Sequence, residues 1–182
     1  KHIYTIQGFS SDVDLSFKMG AENKKKLVSL IASNKVSFHP KELYSERVNC
    51  IKWFENFHRD DFDLYGYGWE LLPSGHNFFV KLLKNIPFLS RVLSKKYKVY
   101  KGTVPRKKDA LESYKFNIVF ENAYSIPGYI TEKIFDSFVS GTIPVYLGAT
   151  NVTDFIPSQC FIDMNQFNDY QELYEFMISM TN

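Results

Sequence analysis

Phe116-Asn117-Ile118-Val119-Phe120 is followed by Glu121-Asn122, a loop through Pro127 and Gly128, and then Thr131 to Val139. The first five residues are a short apolar run rich in β-branched and aromatic side chains, which predicts a buried strand. Residues 131–139 carry helical periodicity, with Gly141 as the stop. Ile143-Pro144-Val145-Tyr146-Leu147 then predicts another strand, closed by Gly148. Strand, loop, helix and strand within about thirty residues is the signature of a parallel crossover unit.

The pattern repeats upstream. Leu27 to Ala32 reads as a buried strand closed by Ser33-Asn34. Glu42 to Phe57 reads as an amphipathic helix, with Leu43, Val48, Ile51 and Phe54 roughly on one face. Phe62 to Tyr65 is a further strand running into Gly66-Tyr67-Gly68-Trp69, and Tyr170 to Met180 a terminal helix. The alternation predicts an α/β fold, an open parallel sheet with helices on both faces. Ligands of such sheets bind beyond the carboxyl ends of the strands. The informative loops are therefore residues 33–40, 66–69 and 122–129.

Composition agrees with a globular domain. The 182 residues are 45% hydrophobic and 23% charged, which excludes disorder, collagen and coiled coil. Seventeen Phe and twelve Tyr predict an aromatic-rich core, or else a surface that stacks rings or sugars. Net charge is only +2, so no general nucleic-acid coat is expected. Cys50 and Cys160 are too few for a disulfide framework, and neither their spacing nor that of the four histidines suits a metal site. Asp12-Val13-Asp14 is a lone acidic pair in the polar first 25 residues; a loop role is the favoured reading and metal binding the alternative. No apolar run reaches the ~18 residues of a membrane span. The start at Lys1 has neither a signal-peptide pattern nor an initiator Met, and reads as a cut from something longer. Asn151-Val152-Thr153 matches a glycosylation triplet, meaningful only in a secreted chain.

One segment is uneven. Residues 81–108 hold ten basic side chains and no acidic one, and residues 78–93 interleave them with apolar positions. A core-facing helix with a solvated basic side is one reading; contact with an anionic membrane surface or ligand is the other.

The densest chemistry is at residues 120–133. A helix start presents free N–H groups and partial positive charge, which attract phosphate. Lys133 in that first turn opposes the dipole and makes sense if an anion sits there. Glu132 beside it is suited to accept hydrogen bonds from hydroxyls. Alternatively Thr131 caps the helix, Glu132 serves the dipole and Lys133 is solvated. No Walker lysine, Gly-x-Gly-x-x-Gly turn or Gly-x-Ser-x-Gly elbow is present.

Residues 114–122, Gly128-Tyr129-Ile130-Thr131-Glu132-Lys133-Ile134, and Gly141-Thr142-Ile143-Pro144-Val145-Tyr146-Leu147-Gly148 together resemble the donor-binding domain of the alpha-1,3-fucosyltransferases. Phe155-Ile156-Pro157 and residues 158–163 extend the match, as do Asp12-Val13-Asp14 with Met19-Gly20, residues 29–34, Asp63 to Gly68 and Tyr100-Lys101-Gly102. The resemblance covers most of residues 12–176 and is weakest over about 70–98. It implies the C-terminal, Rossmann-like lobe of a GT-B-type glycosyltransferase, with residues 1–25 as an inter-lobe leader, 26–182 as the GDP-sugar-binding domain, and a basic amphipathic insert near 70–98. It implies inverting transfer of fucose from GDP-fucose to an acceptor glycan, with no cofactor and no metal needed for chemistry.

By the same resemblance Arg47 and Lys133 neutralise the diphosphate, and Glu132 holds a sugar or ribose hydroxyl. Tyr129 and Asn122 line that pocket, and Asn34 lies near the nucleotide. No catalytic residue is assigned: the family's base is a carboxylate of the N-terminal lobe, expected to be a partner outside this chain. A different nucleotide sugar, or a non-catalytic binding module, are the alternatives. The expected location is cytoplasmic with peripheral membrane contact, or the Golgi lumen for a eukaryotic source.

Overall fold

Alternation along the strands gives one sheet two different faces. The computed structural model describes residues 24–70 and 97–181. Its strands are β1 (Lys26–Ile31), β2 (Phe62–Tyr65), β3 (Tyr114–Phe120), β4 (Ile143–Leu147) and β5 (Ile162–Asp163). They pair in the order β2-β1-β3-β4-β5, and every pairing is parallel. The α/β parallel sheet expected from the sequence is thus observed. In register, Val28 faces Phe62 and Phe116, while Leu30 faces Leu64 and Ile118. These side chains build the larger core on one face. The opposite face carries Val119 and Tyr146, and also a polar rung. There the Ser29 hydroxyl donates to Asn117 Oδ1 (3.2 Å), and Asn117 Nδ2 donates to Ser137 Oγ (2.9 Å).

Helices cover both faces. Helix α1 (Tyr44–Phe57) lays Cys50, Ile51 and Phe54 on the first face, and α4 (Tyr170–Ser179) adds Leu173 and Met177. Helix α3 (Glu132–Val139) lays Ile134 on the second, with Phe135 and Phe138 at its margin. Each such fully buried side chain contributes about 1.5–3 kcal/mol. Among the described residues the aromatic side chains largely serve core and inter-helix packing. Phe54 stacks on Phe62 at 4.6 Å between ring centroids, and Tyr174 stacks on His58 at 3.6 Å. Trp53 sits among Phe57, His58, Tyr170 and Tyr174.

Several elements differ from the sequence reading. The first helix begins at Tyr44, because the Glu42 carboxylate accepts the N–H groups of Tyr44 (2.5 Å) and Ser45 (3.0 Å) from outside it. A one-turn helix α2 (Lys107–Leu111) and the two-residue β5 had not been expected. Helix α4 starts on Asp169, whose side chain accepts the Glu172 N–H at 2.9 Å. The chain returns to the sheet at residues 97–102. There the Glu55 carboxylate clamps the N–H groups of Lys98 and Val99, each at 3.0 Å, and Tyr100 bridges to Leu64. That pairing covers the otherwise open edge of β2. The leader with Asp12-Val13-Asp14 and the basic amphipathic run of residues 78–93 lie outside the described residues. Among the described residues no helix is long and apolar enough to cross a membrane.

Asp63 on β2 anchors a polar cluster beside this edge. Its Oδ2 accepts from Lys26 Nζ (2.7 Å) and from the Tyr114 hydroxyl (2.6 Å), and Lys101 lies 3.4 Å from Oδ1. Burial pushes the Asp63 carboxyl up, but the donors Lys26 and Tyr114 and the charges of Lys26 and Lys101 outweigh it and hold it below its ordinary value. A depressed folded value stabilises the fold above the unfolded carboxylate value and is lost as pH falls through the folded one. Asp63→Asn should therefore be less stable than wild type at pH 7 by about 1–2 kcal/mol, allowing for the exposed lysines. In urea melts across pH the gap should close progressively below about pH 4. A gap that persists unchanged to pH 2 would contradict this account.

Candidate functional site

The strand order puts the crevice where the chain changes direction. The chain leaves β1 toward α1 on one face and β3 toward α3 on the other, so the space beyond their carboxyl ends lies open between two diverging loops. A cleft of about 260 Å³ occupies it. Ile31, Ala32 and Ser33 wall it from β1, and Gly66 from β2. Asn122 follows β3, Glu132 and Lys133 open α3, and Arg47 enters from α1. All three loops singled out in the sequence sit at this end of the sheet.

Three consecutive residues at the end of β3 hold the site together. The Phe120 carbonyl accepts from Arg47 Nη2 (2.7 Å) and Nε (3.2 Å). Asn122 Oδ1 accepts from Arg47 Nη2 at 2.9 Å, and Asn122 Nδ2 donates to the Tyr129 hydroxyl at 3.3 Å. Between them, the Glu121 side chain is 0% exposed. Its Oε1 accepts the Thr131 N–H (2.8 Å), and its Oε2 accepts from Thr131 Oγ1 (2.7 Å) and Lys133 Nζ (2.9 Å).

Arg47 is 5% exposed yet makes no ion pair among the described residues. Its fixed partners are a carbonyl, a carboxamide and the Tyr44 ring, whose centroid is 4.9 Å from the guanidinium carbon. Burial lowers its proton affinity, with Tyr44 and Glu121 opposing; an arginine remains charged regardless. Among the described residues Nη1 makes no hydrogen bond and no buried side-chain nitrogen lacks a partner, so Nη1 reaches solvent. A positive charge held this deep by neutral groups, facing a cleft, favours an anion there.

Lys133 differs from one of its two sequence readings. It is not merely solvated, because Glu121 pairs with it from within the chain. Thr131 occupies the cap position of α3 but makes no cap with its side chain; its hydroxyl turns to Glu121 instead. The lysine still lines the cleft, as half of a compensated pair. Glu132 is half-exposed at the rim. Burial pushes its carboxyl up, but Lys133, the helix-start N–H and Lys107 outweigh this and hold it low. Lys107 from α2 bridges to Asp136 at 2.7 Å and lies 3.8 Å from Glu132.

Of the six expected residues, Arg47, Asn122, Glu132 and Lys133 wall one cleft. Tyr129 stands behind Asn122. Asn34 is buried with Nδ2 on the Gly68 carbonyl (3.0 Å) and its N–H on the Tyr67 carbonyl (2.9 Å), so it shapes the turn rather than the wall. That turn needs glycine at 66: φ is +129°, and a Cβ would lie 1.9 Å from the Ala32 carbonyl oxygen. Sequence reasoning missed Glu121 and Lys107. The signal for Glu121 was Lys133 itself, a first-turn lysine that required an anion. Among the described residues no group of three or more His, Cys, Asp or Glu side chains is placed to hold a metal ion.

Residues 21–182 match the model of the family described as glycosyltransferase family 10 (fucosyltransferase) C-term. An alpha-(1,4)-fucosyltransferase of Arabidopsis thaliana is 34% identical over 118 residues, which are 59% of this chain and 28% of that protein. An alpha-(1,3)-fucosyltransferase of Helicobacter pylori is 36% identical over 74 residues, 41% of this chain and 15% of that protein. This chain therefore aligns with under a third of either relative. The crystal structure of an alpha1,3-fucosyltransferase superposes on 87% of this chain and 34% of its own, with a TM-score of 0.56 and 23% identity. The fold is accordingly that of a GT-B-type lobe.

Two substitutions test this geometry. Gly148 lies under Glu121, and a Cβ there would lie 2.6 Å from both Glu121 Cγ and the Tyr146 hydroxyl. Gly148→Ala should cost about 1–3 kcal/mol by overpacking, read from urea melts. Glu121→Ala leaves Lys133 and the Thr131 N–H without their partner, and should cost about 3–5 kcal/mol. A Glu121→Ala protein as stable as wild type would show that the carboxylate does not organise the site.

Proposed function

Because this chain belongs to the family of glycosyltransferase family 10 (fucosyltransferase) C-terminal domains, we propose that it is the GDP-fucose-binding lobe of an alpha-1,3-fucosyltransferase. The enzyme transfers fucose to an acceptor glycan, with inversion at the fucose anomeric carbon. The observation that carries the reading is Arg47: a buried guanidinium with no ion pair among the described residues and one edge toward the switch-point cleft. A solved alpha1,3-fucosyltransferase with GDP-fucose superposes on this chain with a TM-score of 0.54.

In this reading the donor diphosphate lies across the start of α3, with Arg47 on one side and Lys133 on the other. Breaking the bond between fucose and the β-phosphate leaves negative charge on the phosphate oxygen. Cations already in place stabilise that charge without reorganising at the moment of reaction. Glu132, half-exposed at the rim, accepts hydrogen bonds from fucose or ribose hydroxyls. Asn122 and Tyr129 hold the Arg47 edge of the pocket, and Asn34 shapes the nucleotide side through the 66–68 turn.

The acceptor hydroxyl must lose its proton to a base within hydrogen-bond reach. Glu121 already accepts three donors and is closed off by Gly148, so it is unsuited to that task. We place the base in a second lobe of the full-length enzyme. The uncompensated charge of Arg47, with Lys133 as a hydrogen-bond donor beside it, supplies what a divalent cation would otherwise supply, and the reaction is proposed to be metal-independent.

Calorimetric titration with GDP, GDP-fucose, GDP-mannose and UDP in EDTA tests the reading. GDP and GDP-fucose should bind without metal, and UDP more weakly. Binding of no guanine nucleotide would overturn the reading, and preference for GDP-mannose over GDP-fucose would move it to another sugar. Arg47→Ala should weaken GDP binding by about 1.5–3 kcal/mol, the range for a hydrogen bond to a charged group. Glu132→Ala should weaken GDP-fucose more than GDP.

A further inference from the structure

The loop that carries Tyr129 is held at its tip by a residue far along the chain. Asn151 lies after β4, next to the 3-10 turn Val152–Asp154. Its Oδ1 accepts the Gly128 N–H at 2.7 Å, and its Nδ2 donates to Asp154 Oδ2 at 3.0 Å. Both polar atoms of the carboxamide in the Asn151-Val152-Thr153 triplet are thus engaged within the fold. Gly128 has φ of +74°, a left-handed conformation, and it immediately precedes Tyr129.

Few other anchors fix this loop. Tyr124 donates its N–H to the Lys41 carbonyl (2.7 Å), Ser125 donates its own to the Gly148 carbonyl (2.9 Å), and Lys41 Nζ donates to the Ser125 carbonyl (3.0 Å). Beyond Ser125 the backbone–backbone bonds among the described residues lie within the loop, Tyr129 N–H to the Ile126 carbonyl and Ile130 N–H to the Gly128 carbonyl, and at its far end the Thr131 N–H goes to Glu121. The Tyr146 hydroxyl, 3.5 Å from the Tyr129 carbonyl, is a long contact. Asn151 therefore makes the one short side-chain bond to the loop apex among the described residues.

The chain of contacts runs on into the cleft. The Tyr129 hydroxyl accepts from Asn122 Nδ2, which orients the carboxamide so that its Oδ1 faces Arg47 Nη2. With its nitrogen committed to Tyr129, Asn122 presents an acceptor, and not a donor, to the guanidinium. We propose that Asn151 is a positioning residue of the donor site: by fixing Gly128 it sets Tyr129, and through Asn122 it sets the direction of the Arg47 guanidinium. This inference rests on the donor-site reading above.

Calorimetry with GDP decides it. Asn151→Ala should weaken GDP binding about 5–10-fold, the loss of one neutral hydrogen bond. Asp154→Ala, which removes only the other contact of Asn151, should stay within about twofold of wild type. Asn151→Asp in the Asp154→Ala background keeps an acceptor for Gly128 and should also bind within about twofold. In a Tyr129→Phe background, Asn151→Ala should add less than about twofold, because the relay is already cut. Wild-type affinity in Asn151→Ala, an equal loss in Asp154→Ala, or an undiminished loss in the Tyr129→Phe background would each overturn the proposal.

If Asn151→Ala does not fold, amide exchange in the unmodified protein serves instead. The Gly128 amide should exchange at least about tenfold more slowly than an open amide, and exchange at the open rate would overturn the proposal. Failure of the unmodified protein to bind GDP would instead strike the donor-site reading, and the Gly128 exchange rate would still decide the Asn151 contact.

Discussion

The site depends on a carboxylate that has no contact with water. Glu121 is placed at the end of the central strand, just beyond Val119 and Phe120, which point to opposite faces of the sheet. A buried carboxylate without partners would cost several kcal/mol. This one accepts from a backbone N–H, a hydroxyl and an ammonium group, all from residues 131–133. The desolvation cost therefore sets where α3 can begin. The helix start must lie over the end of β3, or the charge is stranded. Gly148 completes the constraint, since any side chain there would displace the carboxylate.

The two cations reach the cleft by different routes and stand in different electrostatic states. Arg47 comes from the helix on one face and Lys133 from the helix on the other, and the switch in direction between β1 and β3 brings them to the same opening. Lys133 is neutralised within the fold. Arg47 is oriented by neutral groups and keeps its charge uncompensated. The positive potential in the cleft accordingly arises more from a residue of α1 than from the helix start that the sequence makes conspicuous.

The fold was legible because its strands are short apolar runs bounded by turn residues and its helices carry amphipathic periodicity. Residues 116–120 and 143–147 could be read directly from such runs. The elements that escaped are those in which tertiary contacts replace local pattern. Residues 162–163 pair with β4 over two positions and have no periodicity to show. Lys107–Leu111 is one turn whose buried residue, Leu111, cannot define a face by itself. Within the site, residue types were legible and their partners were not. Asn34 follows a strand end as a nucleotide contact would, yet its carboxamide is turned onto Gly68 by a backbone bend that no local motif encodes. Glu121 and Lys133 are twelve positions apart, and only the crossover from strand to helix makes them neighbours.

The separation of fixed and free groups around the cleft has a chemical consequence. Arg47, Asn122 and Lys133 are each held by at least two hydrogen bonds, so little conformational entropy remains to be lost when an anion arrives. Glu132 is only loosely tethered, at 3.8 Å from Lys107, and stays half in solvent. A rigid cationic end suits a group whose charge increases as a bond breaks, because preorganised donors gain most where charge develops. A carboxylate at a solvated rim suits hydroxyls, which need a directional acceptor more than a strong field. In the proposed reading the rigid part of the cleft takes the leaving group and the adjustable part the sugar, while the attacking partner approaches from the open side.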